Sequence, residues 1–308
     1  MLLAIGLLVA GTVLLTVGAE AAIRAAGRVA KARGISPFVM GAVLFGIDIE
    51  SLGAAVIAAA RDQTSIAAGE AFGTIVFLFG VGFGLALLLS RKPVESPSRS
   101  MVLWPAATLV LGALAVADEA VGRYEAVSLV LAYVLYLWMV LHEREPAEAV
   151  GEHVEREAEE MRRVPPVVLL IGGLALVYAG ATMMVDGGIR ILDRTGLAAG
   201  FVGAALIGAL ASADEVLLAI LPIRRGMTSL ATGNLFGTVA AFSTLVLGLA
   251  ALVRPLIVDS AAASAFLAAS LLYTIVATAF LMRGRAGKLV GVTLVICYGA
   301  WLAFSAQI

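Results

Sequence analysis

The 308-residue chain predicts an all-α integral membrane fold of ten transmembrane helices, arranged as two inverted halves of five. Three observations carry this prediction. The composition is 61% hydrophobic and 14% charged, with a mean hydropathy of +1.03, whereas soluble domains run nearer half apolar and a quarter charged. Ten apolar stretches are of the length, roughly 20 residues, that a helix needs to cross the hydrocarbon core. Two segments about half the chain apart nearly repeat each other, TSIAAGEAFGT from Thr64 to Thr74 and TSLATGNLFGT from Thr228 to Thr238.

The ten stretches run over about 2–22, 35–60, 64–90, 101–118, 124–142, 165–190, 197–223, 227–252, 260–282 and 287–306. No basic residue precedes the first; Arg24, Arg28, Lys31 and Arg33 follow it. It therefore reads as a retained transmembrane helix rather than a signal peptide. Alternate loops divide the basic residues 16 to 5, and the positive-inside rule puts the richer set in the cytoplasm. Both termini are then expected outside the cell membrane. Residues 143–164 form a charged cytoplasmic loop, read as a solvated linker between a first half, 1–142, and a second half, 165–308. Because five is odd, the second half enters the membrane from the opposite side, which inverts its topology.

Several function classes are excluded or left without support. A formal net charge of −1 argues against nucleic acid as a partner. Cys297 stands alone, so no disulfide forms within the chain. His142 and His153 are too few for a histidine metal site. The chain contains no HExxH, Walker or GxSxG pattern, and no histidine in a membrane segment core to activate a serine. No enzyme and no cofactor are expected, and any uphill transport must be coupled to an ion. The expected partners are the lipid bilayer and inorganic cations, with the oligomeric state left open.

Ionisable residues inside a membrane are costly and face a cavity or a partner. Glu50 lies mid-helix in FGIDIES and Glu215 in LIGALASADEVL, at corresponding places in repeat motifs 41–80 and 203–248. Glu70 in AAGEAFGT is matched by Asn234 in ATGNLFGT. Ser51, Thr74, Ser212, Thr232 and Thr238 add hydroxyls nearby. Carboxylates, amides, hydroxyls and carbonyls are the oxygen donors that hard cations such as calcium select. Gly46, Gly69, Gly73, Gly208, Gly233 and Gly237 flank the acidic positions. They either loosen the helix and free carbonyls toward a cavity or let helices pack closely. Asp48 and Asp214 fall outside the matching positions and on other helix faces than their neighbouring glutamates. Asp118, Glu119, Asp186 and Asp193 lie near helix ends and read as interfacial.

At these residues the chain resembles the calcium/cation antiporter superfamily, which includes sodium/calcium exchangers. The family's repeat reads G-T-S-x-P-E followed, after a helix and turn, by G-N-x-x-G-S-N. The second half here gives Leu210-Ala-Ser-Ala-Asp-Glu215 and Gly233-Asn-Leu-Phe-Gly-Thr-Val239; the first gives Gly46-Ile-Asp-Ile-Glu50 and Gly69-Glu-Ala-Phe-Gly-Thr-Ile75. The G-x-x-x-E spacing of the first is similar to that of proton-coupled members. The G-T-S-x-P signature is absent from both copies, leaving only Ser212 of its hydroxyls. The resemblance implies that Glu50 and Glu215 are the central calcium ligands. Glu70 and Asn234 would complete the site, with Ser212, Thr74 and Thr238 contributing further contacts.

The expected function is a secondary antiporter exchanging calcium or another divalent cation for sodium or protons. A glutamate in an apolar site can carry a proton near neutral pH, so both counter-ions stay open. Alternating access would rock a gating helix pair against the rest of the bundle. The alternatives are an organic-solute exporter of the drug/metabolite type, or a degenerate antiporter homologue that no longer transports.

Overall fold

A computed structural model describes residues 1–32, 48–90, 93–94, 100–142, 164–197, 199–212, 215–216, 219–220, 223, 228–258, 260–284 and 286–305. Most of these residues are helical. The helices are α1 (Leu2–Ala32), α2 (Ile49–Ala60), α3 (Thr64–Leu89), α4 (Ser100–Val116), α5 (Arg123–His142), α6 (Pro166–Thr195), α7 (199–211), α8 (228–253), α9 (Ser260–Met282) and α10 (Lys288–Ser305). Helical residues recur beyond α7 at 215–216, 219–220 and 223. Among the described residues, six helices are long and apolar enough to cross a membrane, and four shorter apolar helices accompany them. The start of the second predicted span and the charged loop, residues 33–47 and 143–163, lie outside the described residues.

Two helices outrun their predicted lengths. α1 continues to Ala32 and α6 to Thr195, each about 45 Å long at 1.5 Å per residue against a core of roughly 30 Å. In α1 the alanine-rich run after Gly18 keeps the helix going, because alanine has the highest helix propensity. Arg24, Arg28 and Lys31 thus sit on a helix and not in the loop that hydropathy suggested. Arg28 donates to the Val164 carbonyl just before α6. α6 ends at Gly196, whose φ of 68° is a left-handed C-cap that glycine adopts without strain.

α1 and α6 begin at Leu2 and Pro166, which stand at the offset of the sequence repeat, and they pack against each other along their length. Their contacts pair Ala4 with Gly187, Gly11 with Gly180 and Gly18 with Gly173, so the two helices run antiparallel. Equivalent helices that oppose each other are the inverted topology that the odd helix count predicts. Only glycine permits this approach: a Cβ on Gly11 would lie 2.8 Å from the Gly180 carbonyl oxygen. On its far side α1 exposes Ile5, Val9, Val13 and Val17, a stripe at every fourth position that suits lipid.

α3 and α8 form the centre of the bundle. They match at both ends in the repeat register, Thr64 with Thr228 and Leu89 with Val253, and most of their described residues are buried. Each contains one π-helical segment, Leu78–Phe83 and Ala241–Val246, which re-aims the residues that follow. Phe79 and Phe236 meet edge to face at 5.5 Å between the two helices.

Two small straps join the halves. Ala120–Val121 (β1) pairs antiparallel with Leu256–Ile257 (β2), and the Val258 N–H donates to the Glu119 carbonyl at 2.9 Å. At the other end of α4, Val94 and Ala286 form an antiparallel bridge, with the Val94 N–H donating to Ala286 at 2.8 Å. Val94 and Val258 are themselves equivalent positions in the repeat. The turn between α2 and α3 adds ion pairs: Arg61 to Asp186, and Asp62 to Arg254 at 2.6 Å.

Candidate cation site

α2 begins after Asp48 and α7 ends at Ser212, equivalent positions of the two halves. Asp48 is extended (φ −68°, ψ 97°) and caps α2, its Oδ1 accepting the Ser51 N–H at 2.9 Å. Ser212 ends α7 with φ −106° and ψ 22°. Neither boundary uses proline. A side-chain acceptor at the helix N-terminus satisfies a backbone donor that would otherwise be orphaned at membrane depth.

The two boundaries touch. Ser212 Oγ lies 3.1 Å from Asp48 Oδ2, 3.0 Å from Ser51 Oγ and 3.5 Å from Thr74 Oγ1. Ser51 Oγ donates to Asp48 Oδ2 at 2.7 Å. All four side chains are buried. Thr74 comes one helical turn after Glu70 on α3, so both project from one face. Asp48 and Ser51 lie close to Glu70. A Cβ on Gly208 would sit 2.8 Å from Thr74 Oγ1, which places α7 hard against this face.

The acidic residues have distinct surroundings. Their exposures are 8% for Asp48, 5% for Glu50, 0% for Glu70 and 5% for Glu215. Glu215 Oε2 accepts the Asn234 amide at 2.6 Å, while Asn234 Oδ1 is buried without a partner. Thr238 Oγ1 turns back onto its own helix and donates to the Asn234 carbonyl at 3.0 Å. Glu50 Oε2 accepts from Thr16 Oγ1 of α1 at 3.2 Å. Neither oxygen of Glu70 has a hydrogen-bond partner. Among the described residues no three acidic, histidine or cysteine side chains stand close enough to enclose an ion.

Of the predicted residues, then, Ser212 and Thr74 meet each other, and Glu215, Asn234 and Thr238 form a second chain of contacts. Glu70 lies beside the first group, and Glu50 reaches toward α1. The sequence pattern sets Asp48 aside, because no acid matches it in the other half. The signal was present in the register that relates Thr64 to Thr228: it matches Asp48 with Ser212, Glu50 with Asp214 and Ser51 with Glu215, so Glu50 and Glu215 are one position out of step. Asp214 lies outside the described residues.

Chemically, the arrangement offers one carboxylate without donors and one amide oxygen without a donor. Rotating the Asn234 amide would turn its oxygen toward a cation held by Glu215 and withdraw the N–H that Glu215 now accepts.

The sequence profile of the family described as "Sodium/calcium exchanger protein" matches residues 3–142 and 165–307. The inner membrane protein YrbG of Escherichia coli K12 is 28% identical over 98% of this chain and 97% of its own length. The putative antiporter CaxA of Alkalimonas amylolytica is 27% identical over 85% of each chain. Among solved structures, the sodium-calcium exchanger NCX_Mj superposes with a TM-score of 0.64 at 20% identity, covering 98% of both chains. An H+/Ca2+ exchanger, CAX, superposes with a TM-score of 0.78 at 16% identity over 98% of this chain and 82% of its own.

Proposed function

This chain belongs to the sodium/calcium exchanger protein family, and from that premise we propose that it is a secondary antiporter carrying calcium or another divalent cation across the cell membrane in exchange for sodium or protons. Family membership replaces the organic-solute exporter alternative. The observation that carries the cation reading is Glu70. Its carboxyl is fully enclosed on a central helix, neither oxygen makes a hydrogen bond, and Thr74, one turn further along that helix, meets Ser212. A buried carboxylate without donors calls for a positive partner, and a hard cation supplies one.

In this reading Glu50, Glu70 and Glu215 supply charge, Asn234 supplies its amide oxygen, and Ser212, Thr74 and Thr238 supply hydroxyls. Cargo and counter-ion use the same carboxylates, so their occupancies exclude each other. The closely packed, glycine-lined pair α1 and α6 is the gating element, and Thr16 connects it to Glu50. Both termini lie outside the cell, and residues 143–164 face the cytoplasm.

The test is calcium-45 uptake into proteoliposomes, driven in one arm by an outward sodium gradient and in the other by an outward proton gradient. Uptake in either arm identifies the counter-ion. Glu50→Gln and Glu215→Gln should each abolish it; full activity in both variants removes these residues from the site. Ion-dependent stabilisation of the protein without flux in either arm would mark a homologue that binds but does not transport.

A further inference from the structure

We propose that Asp48 is a ligand of the transported divalent cation, acting with Glu70 and the hydroxyls of Thr74 and Ser212. This assignment rests on the antiporter reading above and adds a carboxylate that the repeat pattern did not mark.

Asp48 stands where the second half has Ser212, and the two side chains meet 3.1 Å apart. The first half therefore places a charge at the contact between the halves where the second half places a neutral hydroxyl. Asp48 is held there by the Ser51 N–H and the Ser51 and Ser212 hydroxyls. A carboxylate oxygen that accepts a hydrogen bond keeps a second lone pair, so it can take a bound ion alongside these donors. An acidic residue at a helix start is by itself only a cap. The independent observation is Glu70, enclosed, without any hydrogen-bond partner, and close to Asp48 and Ser51. Two carboxyls in one enclosed pocket repel each other unless something positive lies between them. Thr74, on the same face of α3 as Glu70, and Ser212 complete an oxygen set drawn from α2, α3 and α7. Glu50, on the same helix, accepts from Thr16 of α1, so the two α2 carboxylates meet different neighbours.

The experiment separates ligation from capping. Asparagine and serine both cap helices as well as aspartate does, so Asp48→Asn and Asp48→Ser preserve the start of α2 while removing the charge. Calcium-45 binding is measured on the purified full chain in lipid nanodiscs, beside the melting midpoint. Both variants are expected to melt with the parent and to bind calcium about thirtyfold more weakly or worse, the effect of removing one member of a buried charge pair. Glu70→Gln should behave in the same way. Should one Asp48 variant fail to fold, the other reads the same quantity. Calcium binding within about twofold of the parent in a folded Asp48 variant, with Glu70→Gln impaired, overturns the assignment and leaves Asp48 a cap. A parent chain that binds neither calcium nor manganese overturns the antiporter reading, and this assignment with it.

Discussion

Replacing Gly73 by alanine tests whether the contact between α3 and α7 sets the geometry of the site. A Cβ at Gly73 would lie 2.2 Å from the Ala204 Cβ and 2.3 Å from its Cα. Carbon atoms need about 3.5 Å or more, so the helices must separate by roughly 1 Å. The neighbouring crossing is equally tight, since a Cβ on Gly203 would meet the Ile66 carbonyl oxygen at 2.2 Å. The obstacle at both crossings is largely backbone, which cannot rotate away. Overpacking of this kind costs about 1–3 kcal/mol, and at about 2 °C per kcal/mol for a chain of this size the melting midpoint should fall roughly 2–6 °C. The separation falls directly beside the Thr74–Ser212 contact of 3.5 Å, so calcium-45 uptake should drop as well. Gly172→Ala is the control, because a Cβ there meets nothing within 4 Å and alanine is the better helix former. Gly73→Ala that melts and transports like Gly172→Ala would refute the view that this crossing positions the site.

Glu70→Gln should abolish uptake while leaving the melting midpoint unchanged or higher, since it removes a buried charge that has no partner; a thermal scan beside the flux assay checks both. Asn234→Ala strips Glu215 of a 2.6 Å donor and should cost about 1–3 kcal/mol of stability along with transport. Arg61→Ala breaks a half-exposed ion pair with Asp186 and should change stability by less than about 1 kcal/mol. With Cys297 replaced by serine, V94C and A286C should cross-link on oxidation, because Cα atoms paired across an antiparallel bridge are about 4.5–5.5 Å apart, within disulfide reach. The cross-linked protein, followed by gel mobility and flux, should still transport, since the bridge lies away from α1 and α6.

Hydropathy located the spans because lipid imposes length and apolarity on every crossing segment, and α3 and α8 agree with their predicted limits within about two residues. The repeat revealed the inversion because TSIAAGEAFGT and TSLATGNLFGT come from equivalent turns of α3 and α8. Hydropathy stopped short on α1, where Arg24, Arg28 and Lys31 lower it while the alanines between them preserve the helix. The π segments left no trace in common: LFGVGF and VGAALIG carry glycines, whereas AFSTLV has none. Straps this short cannot show a period. Asp48 ranks below Glu50 in the sequence because acid pairs with acid there, Glu50 with Glu215, whereas the fold pairs residues at one constant offset and sets Asp48 against Ser212.

The straps also constrain how the molecule is made. β1 has its partner at Leu256–Ile257, and Val94 waits for Ala286. The connections of α4 therefore leave the Val94 N–H and the Glu119 carbonyl open until most of the second half has been synthesised. The first five helices can insert one by one, but these connections cannot close until residues near the end of the chain arrive. Biogenesis should consequently finish as a single late event, and a translation product truncated before Leu256 should be a target for membrane proteases rather than a stable half-transporter.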